Sequence, residues 1–117
     1  MKQWFLIILL AITLQGEAGI LGTKGMYQVA DTILARLASP DYPNTLENVL
    51  EVYYARAEPS EEAIGLAACA ILSPWTPGPF FYAYGDGDVS RFGWRQGDEV
   101  LCGHGFCLHL AREWPGR

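Results

Sequence analysis

Residues 15–45, reading QGEAGILGTKGMYQVADTILARLASPDYPNT, constrain this chain most, because they set one glutamate between a hydrophobic run and a glycine-rich turn. Residues 4–14 are almost continuously apolar, whereas Gly19, Gly22 and Gly25 follow Glu17 and permit backbone turns that residues with a Cβ resist. A carboxyl group at such an element end sits beside apolar surface. Those surroundings disfavour the charged form and raise the pKa, as a proton donor working near neutral pH requires. Glu17 is therefore the candidate catalytic acid.

The 117 residues, 50% of them hydrophobic, fit one domain with one core, and no internal repeat is visible. A net charge of −5 argues against a general nucleic-acid binder, since phosphate binding needs a basic surface. Lys2 followed by the apolar run reads as a secretory signal peptide with Gly16-Glu17-Ala18 as a small-residue cleavage site. The run over residues 1–14 is too short to span a bilayer as an ordinary transmembrane helix. The alternative is a first domain helix buried on most of its circumference. Cleavage after Ala18 would remove Glu17, so only one of these readings keeps the acid.

Three cysteines, Cys69, Cys102 and Cys107, cannot all pair within one chain, and their spacing matches neither a CxxC pair nor a Cys/His zinc pattern. Cys102 and Cys107 are compatible with a disulfide in an exported protein and equally with small buried thiols. Cys102, His104, Cys107 and His109 cluster on one extended segment, with alternate spacing that places groups on one strand face. Metal cages draw ligands from two elements, so no metal site is assigned and no cofactor is expected.

Along the chain, Met26, Val29, Ala30, Ile33, Leu34 and Leu37 recur at three- and four-residue steps and predict an amphipathic helix, with Asp31, Thr32 and Arg36 on its other side. Pro40 and Pro43 stop it, and Asn44 is placed to cap a short helix reaching about Tyr53, with Leu46, Val49, Leu50 and Tyr53 inward. Pro59-Ser60-Glu61-Glu62 opens a close-packing, alanine-rich helix to about Leu72. Phe80-Phe81-Tyr82-Ala83-Tyr84 reads as an aromatic strand, Gly85-Asp86-Gly87-Asp88 as a turn, residues 89–94 as one helical turn, and residues 99–112 as an extended return. Residues 80–84 and 106–110 then pair as a small sheet, and Trp114-Pro115-Gly116-Arg117 ends at the surface. The expected fold class is α+β, mostly helical with a short C-terminal antiparallel sheet.

The order of features resembles the bacterial cell-wall hydrolase family typified by spore-cortex-lytic enzymes. In that family a Glu-Ala pair ends a first helix, followed by a glycine turn, a helix closing in Ile-Leu-Asn-Arg-Val, and Ser-Pro-x-x-Pro-Asn-Thr. Here the same order reads Glu17-Ala18, Gly25, Ile33-Leu34-Ala35-Arg36-Leu37 and Ser39-Pro40-Asp41-Tyr42-Pro43-Asn44-Thr45, without a gap. Phe80-Phe81-Tyr82 and Gly103-His104-Gly105-Phe106 resemble the family's later aromatic segment and its Gly-x-His-x-Phe motif. Ala35 stands where the family has asparagine, Cys107 replaces an aromatic residue, and the middle segment lacks the Gln-Phe-Ser pattern.

The resemblance implies a small lysozyme-like domain spanning residues 1–117, acting on peptidoglycan glycan strands as a lytic transglycosylase in the cell wall or outside the cell, with release from a phage as one route there. Glu17 would serve as the single acid and base between N-acetylmuramic acid and N-acetylglucosamine. Tyr82, Tyr84 and Tyr42 are the candidate aromatic contacts to sugar. His104 fits the motif spacing, and a one-repeat slip favours His109, so both stand as candidate substrate contacts. Asp31, Asp41 and Asp86 read as solvated, leaving no evident second carboxylate for ordinary two-carboxylate hydrolysis. A monomer without a stable membrane span is expected. The rival expectations are a catalytically inactive peptidoglycan-binding module, suggested by Ala35 and the altered C-terminal motif, and a small secreted protein of unrelated function, suggested by the signal-like start.

Overall fold

The computed structural model describes residues 2–116. In chain order the elements are α1 (Lys2–Ala18), one 3-10 turn (Gly19–Leu21), α2 (Gly22–Ala38), α3 (Leu46–Leu50), α4 (Glu61–Leu72), β1 (Tyr82–Gly85), α5 (Asp86–Phe92), β2 (Glu99–Gly103) and β3 (Phe106–Ala111). The fold is α+β, mostly helical with a C-terminal antiparallel sheet.

α1 is apolar nearly all round, and its buried residues Ile7, Leu10, Ala11, Leu14 and Ala18 fall on one helical stripe. That stripe packs on α4 and α2. α4 presents Ala63, Ala67 and Ala70 at four- and three-residue steps, and small side chains let the two backbones approach closely. α2 supplies Met26, Val29, Ala30 and Ile33 to the same core, which also takes in Leu46, Val49, Leu50 and Tyr53 and, from β3, Leu108 and Leu110. The inner face of α1 builds part of the core, and a cut after Ala18 would remove Ile7, Leu10, Ala11 and Leu14 from it. The run Lys2–Ala38 contains a window of mean hydropathy 1.9, long and apolar enough by composition to cross a membrane. In the fold that run is broken by the 3-10 turn. Met1 and Arg117 lie outside the described residues.

Two helix starts follow from their caps. Ser60 accepts a hydrogen bond from the Ala63 N–H at 3.1 Å, with Glu61 and Glu62 beside the positive end of α4. Thr45, not Asn44, caps α3, accepting from the Asn48 N–H at 3.3 Å. The extended backbone needed at a cap falls on Thr45, one residue further from Pro43.

The sheet has strand order β1-β3-β2. β1 pairs β3 with Tyr82 opposite Ala111 and Tyr84 opposite His109, close to the expected pairing. Within residues 99–112 the chain is not one extended return. It folds as a hairpin in which Gly103 faces Phe106 and the loop residues His104 and Gly105 both take left-handed φ, 51° and 76°. Two successive positive φ values give a turn whose twist matches the flanking strands. The hairpin sets Cys102 opposite Cys107, and the two form a disulfide. Cys69 is free and exposed.

Other expectations are corrected by burial. Asp86 and Asp88 open α5 directly after β1 instead of forming a turn, and acidic side chains suit a helix N-terminus. Asp31 and Thr32 are buried, not on a solvated face. The Asp31 carboxylate accepts from Trp75 Nε1 at 2.9 Å and from the Gly78 N–H at 2.9 Å, so it pins the proline-rich connection after α4 onto α2. The Thr32 hydroxyl bonds the Tyr53 hydroxyl at 3.1 Å. Pro115 is also fully buried, so the C-terminal segment is held in the structure.

Asp31→Ala leaves the Trp75 and Gly78 donors without their charged acceptor. A loss of about 2–3 kcal/mol is expected, read as a lower urea midpoint at unchanged slope.

Candidate functional site

Glu17 lies in the last turn of α1, where the helix gives way to the 3-10 turn. The chain leaving α3 runs back along this helix. Its Ala55 N–H donates to Glu17 Oε1 at 3.2 Å, the Ala57 N–H to the Ile12 carbonyl at 3.2 Å, and the Ser60 N–H to Gln15 Oε1 at 3.0 Å. Gly16 makes this approach possible. A Cβ there would lie 2.4 Å from the Arg56 nitrogen and 2.5 Å from the Ala55 carbonyl carbon, both backbone atoms. The Arg56 guanidinium is held by the carbonyls of Leu50, Tyr53 and Ala55.

These contacts half-bury the glutamate. Burial pushes the Glu17 carboxyl above its usual range, the Ala55 N–H and the Arg56 charge oppose that, and the Asp88 charge adds to it. The carboxyl also faces the negative end of the α1 dipole, which acts in the same upward direction.

Glu17 opens into a cleft of about 750 Å³. Its lining comes from the end of α1, Arg36 of α2, residues 52–55, Tyr82, Ala83 and Tyr84 of β1, Asp88, Arg91 and Phe92 of α5, and Trp94 and Trp114. The structure therefore brings Glu17, Tyr82 and Tyr84 into one site. Tyr84 is a wall more than a hand: its hydroxyl donates to the Arg95 carbonyl at 2.8 Å, and its ring stacks on His109 with centroids 5.4 Å apart. Tyr42 stands one layer back, donating its hydroxyl to Tyr82 at 2.9 Å. Burial, then that bond, pushes its phenol up to about 12.

The histidines stand apart from the cleft lining. His104 is exposed on the β2–β3 turn. His109 is buried behind Tyr84: its Nδ1 accepts from the Gly97 N–H at 3.2 Å, which leaves the proton on Nε2 to donate to Asp86. It fastens β3 to the start of α5 and to the loop before β2. Asp86, expected to be solvated, is thereby engaged at one oxygen.

Arg36, Asp88, Arg91, Phe92, Trp94 and Trp114 are cleft residues that the sequence reading did not single out. Arg36 sits within the Ile33–Leu37 motif, and its guanidinium lies over the rings of Tyr82, Tyr42 and Tyr53 at 4.9, 5.0 and 5.3 Å while its Nε donates to the Phe81 carbonyl at 2.6 Å. The two tryptophans carried a signal of their own, as large aromatics outside any periodic apolar pattern.

Compared with protein-family models, curated proteins and solved structures, the chain matches none of them.

A carboxyl with a raised folded pKa is stabilised in its protonated form. Relative to an always neutral side chain, the wild type loses stability as pH rises above the unfolded value near 4.5 and through the folded one. Glu17→Gln, whose Oε1 still accepts from Ala55, is therefore expected to melt at a higher temperature than wild type at pH 7. The difference should vanish below pH ~4 in a calorimetric pH series.

Proposed function

We propose that this chain cleaves the glycan strands of peptidoglycan by lytic transglycosylation, with Glu17 as acid and then base. The observation that carries the reading is a half-buried carboxyl of raised pKa opening into an aromatic-lined cleft of about 750 Å³. The family resemblance of residues 17–45 supplies the substrate class.

In this chemistry the protonated Glu17 gives its proton to the glycosidic oxygen between N-acetylmuramic acid and N-acetylglucosamine as the C1–O bond breaks. The carboxylate left behind then accepts the proton of the muramic C6 hydroxyl as that oxygen closes on C1, forming the 1,6-anhydro ring and restoring the acid. One carboxyl serves both steps because the proton returns to it. Arg36, fixed over three tyrosines, lends the cleft a positive charge. The substrate lies outside the cytoplasmic membrane, and the Cys102–Cys107 bridge suits an oxidising compartment.

A second reading is hydrolysis, favoured by one observation: Asp88 shares the cleft and is near enough to act on Glu17 electrostatically. A second carboxylate is what a glycosidase needs to activate water or to attack the sugar directly.

Mass spectrometry of the soluble products from purified peptidoglycan separates the two. The wild type should release anhydro-muramic ends, one water lighter than hydrolysed ends, and Glu17→Gln should lose roughly a hundredfold or more of the rate while staying folded. Reducing ends in place of anhydro ends would transfer the mechanism to hydrolysis, and equal rates in the variant would end the role of Glu17.

Asp88→Asn tests the electrostatics. Removing a negative charge that holds the Glu17 pKa up lowers that pKa, so the acid deprotonates at lower pH. The alkaline limb of the pH–rate profile should shift to lower pH in the variant.

A further inference from the structure

Phe92, Trp94 and Trp114 come from the end of α5, the loop before β2 and the C-terminal segment, yet they meet in one aromatic wall. Ring centroids are 5.3 Å apart for Phe92 and Trp94 and 5.1 Å for Trp94 and Trp114, with Tyr82 5.8 Å from Trp114 and Tyr84 5.3 Å from Trp94. The wall is built, not a chance collapse. The Arg95 N–H donates to the Pro115 carbonyl at 3.0 Å, the Arg95 guanidinium reaches the Glu113 carbonyl at 3.3 Å and the Asp98 carboxylate at 3.4 Å, and Asp98 accepts from the Arg112 N–H at 2.9 Å. These bonds latch the Trp94 loop to the Trp114 segment.

Despite that fixing, Phe92 is 55% and Trp114 57% exposed. Rings held rigid by polar bonds, lining a cleft and left open to water, suit a ligand with an apolar face. The chemistry of the surroundings narrows that ligand. A cation is disfavoured, because Arg36 already lies over Tyr82 and Arg91 already lies 5.9 Å from the Phe92 ring centre. A flat aromatic guest would seek a parallel slot, and the two indoles cross at 65°. A pyranose ring meets both conditions, with a C–H face that suits stacking on an indole and hydroxyls that suit polar side chains, of which Asp88 and Arg91 belong to the same lining.

We propose that Trp114, flanked by Trp94 and Phe92, forms a stacking subsite for one N-acetylated pyranose of the glycan, contiguous with Glu17, and that this subsite supplies affinity while Glu17 supplies chemistry. The proposal rests on the glycan reading of the cleft for the class of sugar, and on the wall itself for the place.

The test is binding of a soluble β-1,4-linked N-acetylglucosamine tetramer to the full chain carrying Glu17→Gln, followed by calorimetry and tryptophan fluorescence. Adding Trp114→Ala should weaken Kd roughly tenfold, Trp114→Phe should recover most of the loss, and Trp4→Ala, at the exposed start of α1, should leave Kd unchanged. In the otherwise wild-type chain, Trp114→Ala should raise KM with little change in kcat. Unchanged tetramer affinity in a folded Trp114→Ala protein overturns the subsite while leaving cleavage by Glu17 standing. Loss of affinity in that variant beside a wild type that releases no peptidoglycan fragments supports the subsite and overturns the cleavage reading instead. A parent protein that does not bind the tetramer overturns the subsite outright.

Discussion

The close approach of the backbone after α3 to the last turn of α1 is the contact on which the site depends. It exists because residue 16 has no side chain: any Cβ would collide with backbone atoms of Ala55 and Arg56, which have no rotamer to yield. From that contact follow the Ala55 hydrogen bond to Glu17, the removal of the carboxyl from bulk water, and the position of Arg56. The glycine before the acid therefore does as much to set the proton affinity of the site as any charged neighbour. Burial and the helix dipole raise the pKa, and one N–H bond and one cation restrain it.

Such an arrangement works against stability, because at neutral pH the folded chain holds an ionisable group in surroundings that favour its neutral form. The offset comes from elsewhere on the same helix. Over the roughly two turns before it, α1 buries Leu10, Ala11 and Leu14 completely against the alanine face of α4 and the apolar stripe of α2. Each fully buried leucine contributes roughly 1.5–3 kcal/mol, so the helix is anchored well before it reaches the residue that strains it. The carboxyl of raised pKa sits in the last turn of a helix anchored along its buried stripe, which is why an energetically unfavourable group is tolerated there.

The elements legible in the sequence were those governed by local periodicity or by a single cap. α2 and α4 followed from apolar spacing and from Ser60, and Glu17 was visible as a carboxyl between apolar and glycine-rich segments. The features that escaped were set by partners distant in sequence. Asp31 looked solvated because its position on an amphipathic helix is polar, and nothing local announces that Trp75 and Gly78 will cover it. His109 was a candidate only through a one-repeat slip of the motif that His104 fits, and Gly97 on one nitrogen and Asp86 on the other consume both its ring positions. The hairpin within residues 99–112 was hidden because its turn places a histidine, not an asparagine or glycine, at the first left-handed position. Trp94 and Trp114 meet ring to ring across a loop latched by the Arg95 and Asp98 bonds, which no spacing encodes.

On the proposed reading of the cleft as a glycan-cleaving site, the two chemical outcomes differ in which oxygen reaches C1 first. An intramolecular C6 hydroxyl carries an effective concentration that water at a wet surface cannot match, provided the sugar is held with that hydroxyl turned toward C1. Holding the sugar is a matter of stacking and polar rim, which places the decision with the aromatic wall and Arg91 as much as with Glu17. Asp88 weighs on the other side, because a second carboxylate in the cleft offers a water a partner to deprotonate it. A rigid wall favours the internal hydroxyl by fixing the ring, and a loosened wall favours water by letting solvent past it. The bonds that latch residues 94–98 to residues 112–115 lie outside the cleft lining, apart from the indoles they carry, yet on this reasoning they set the balance between ring closure and hydrolysis.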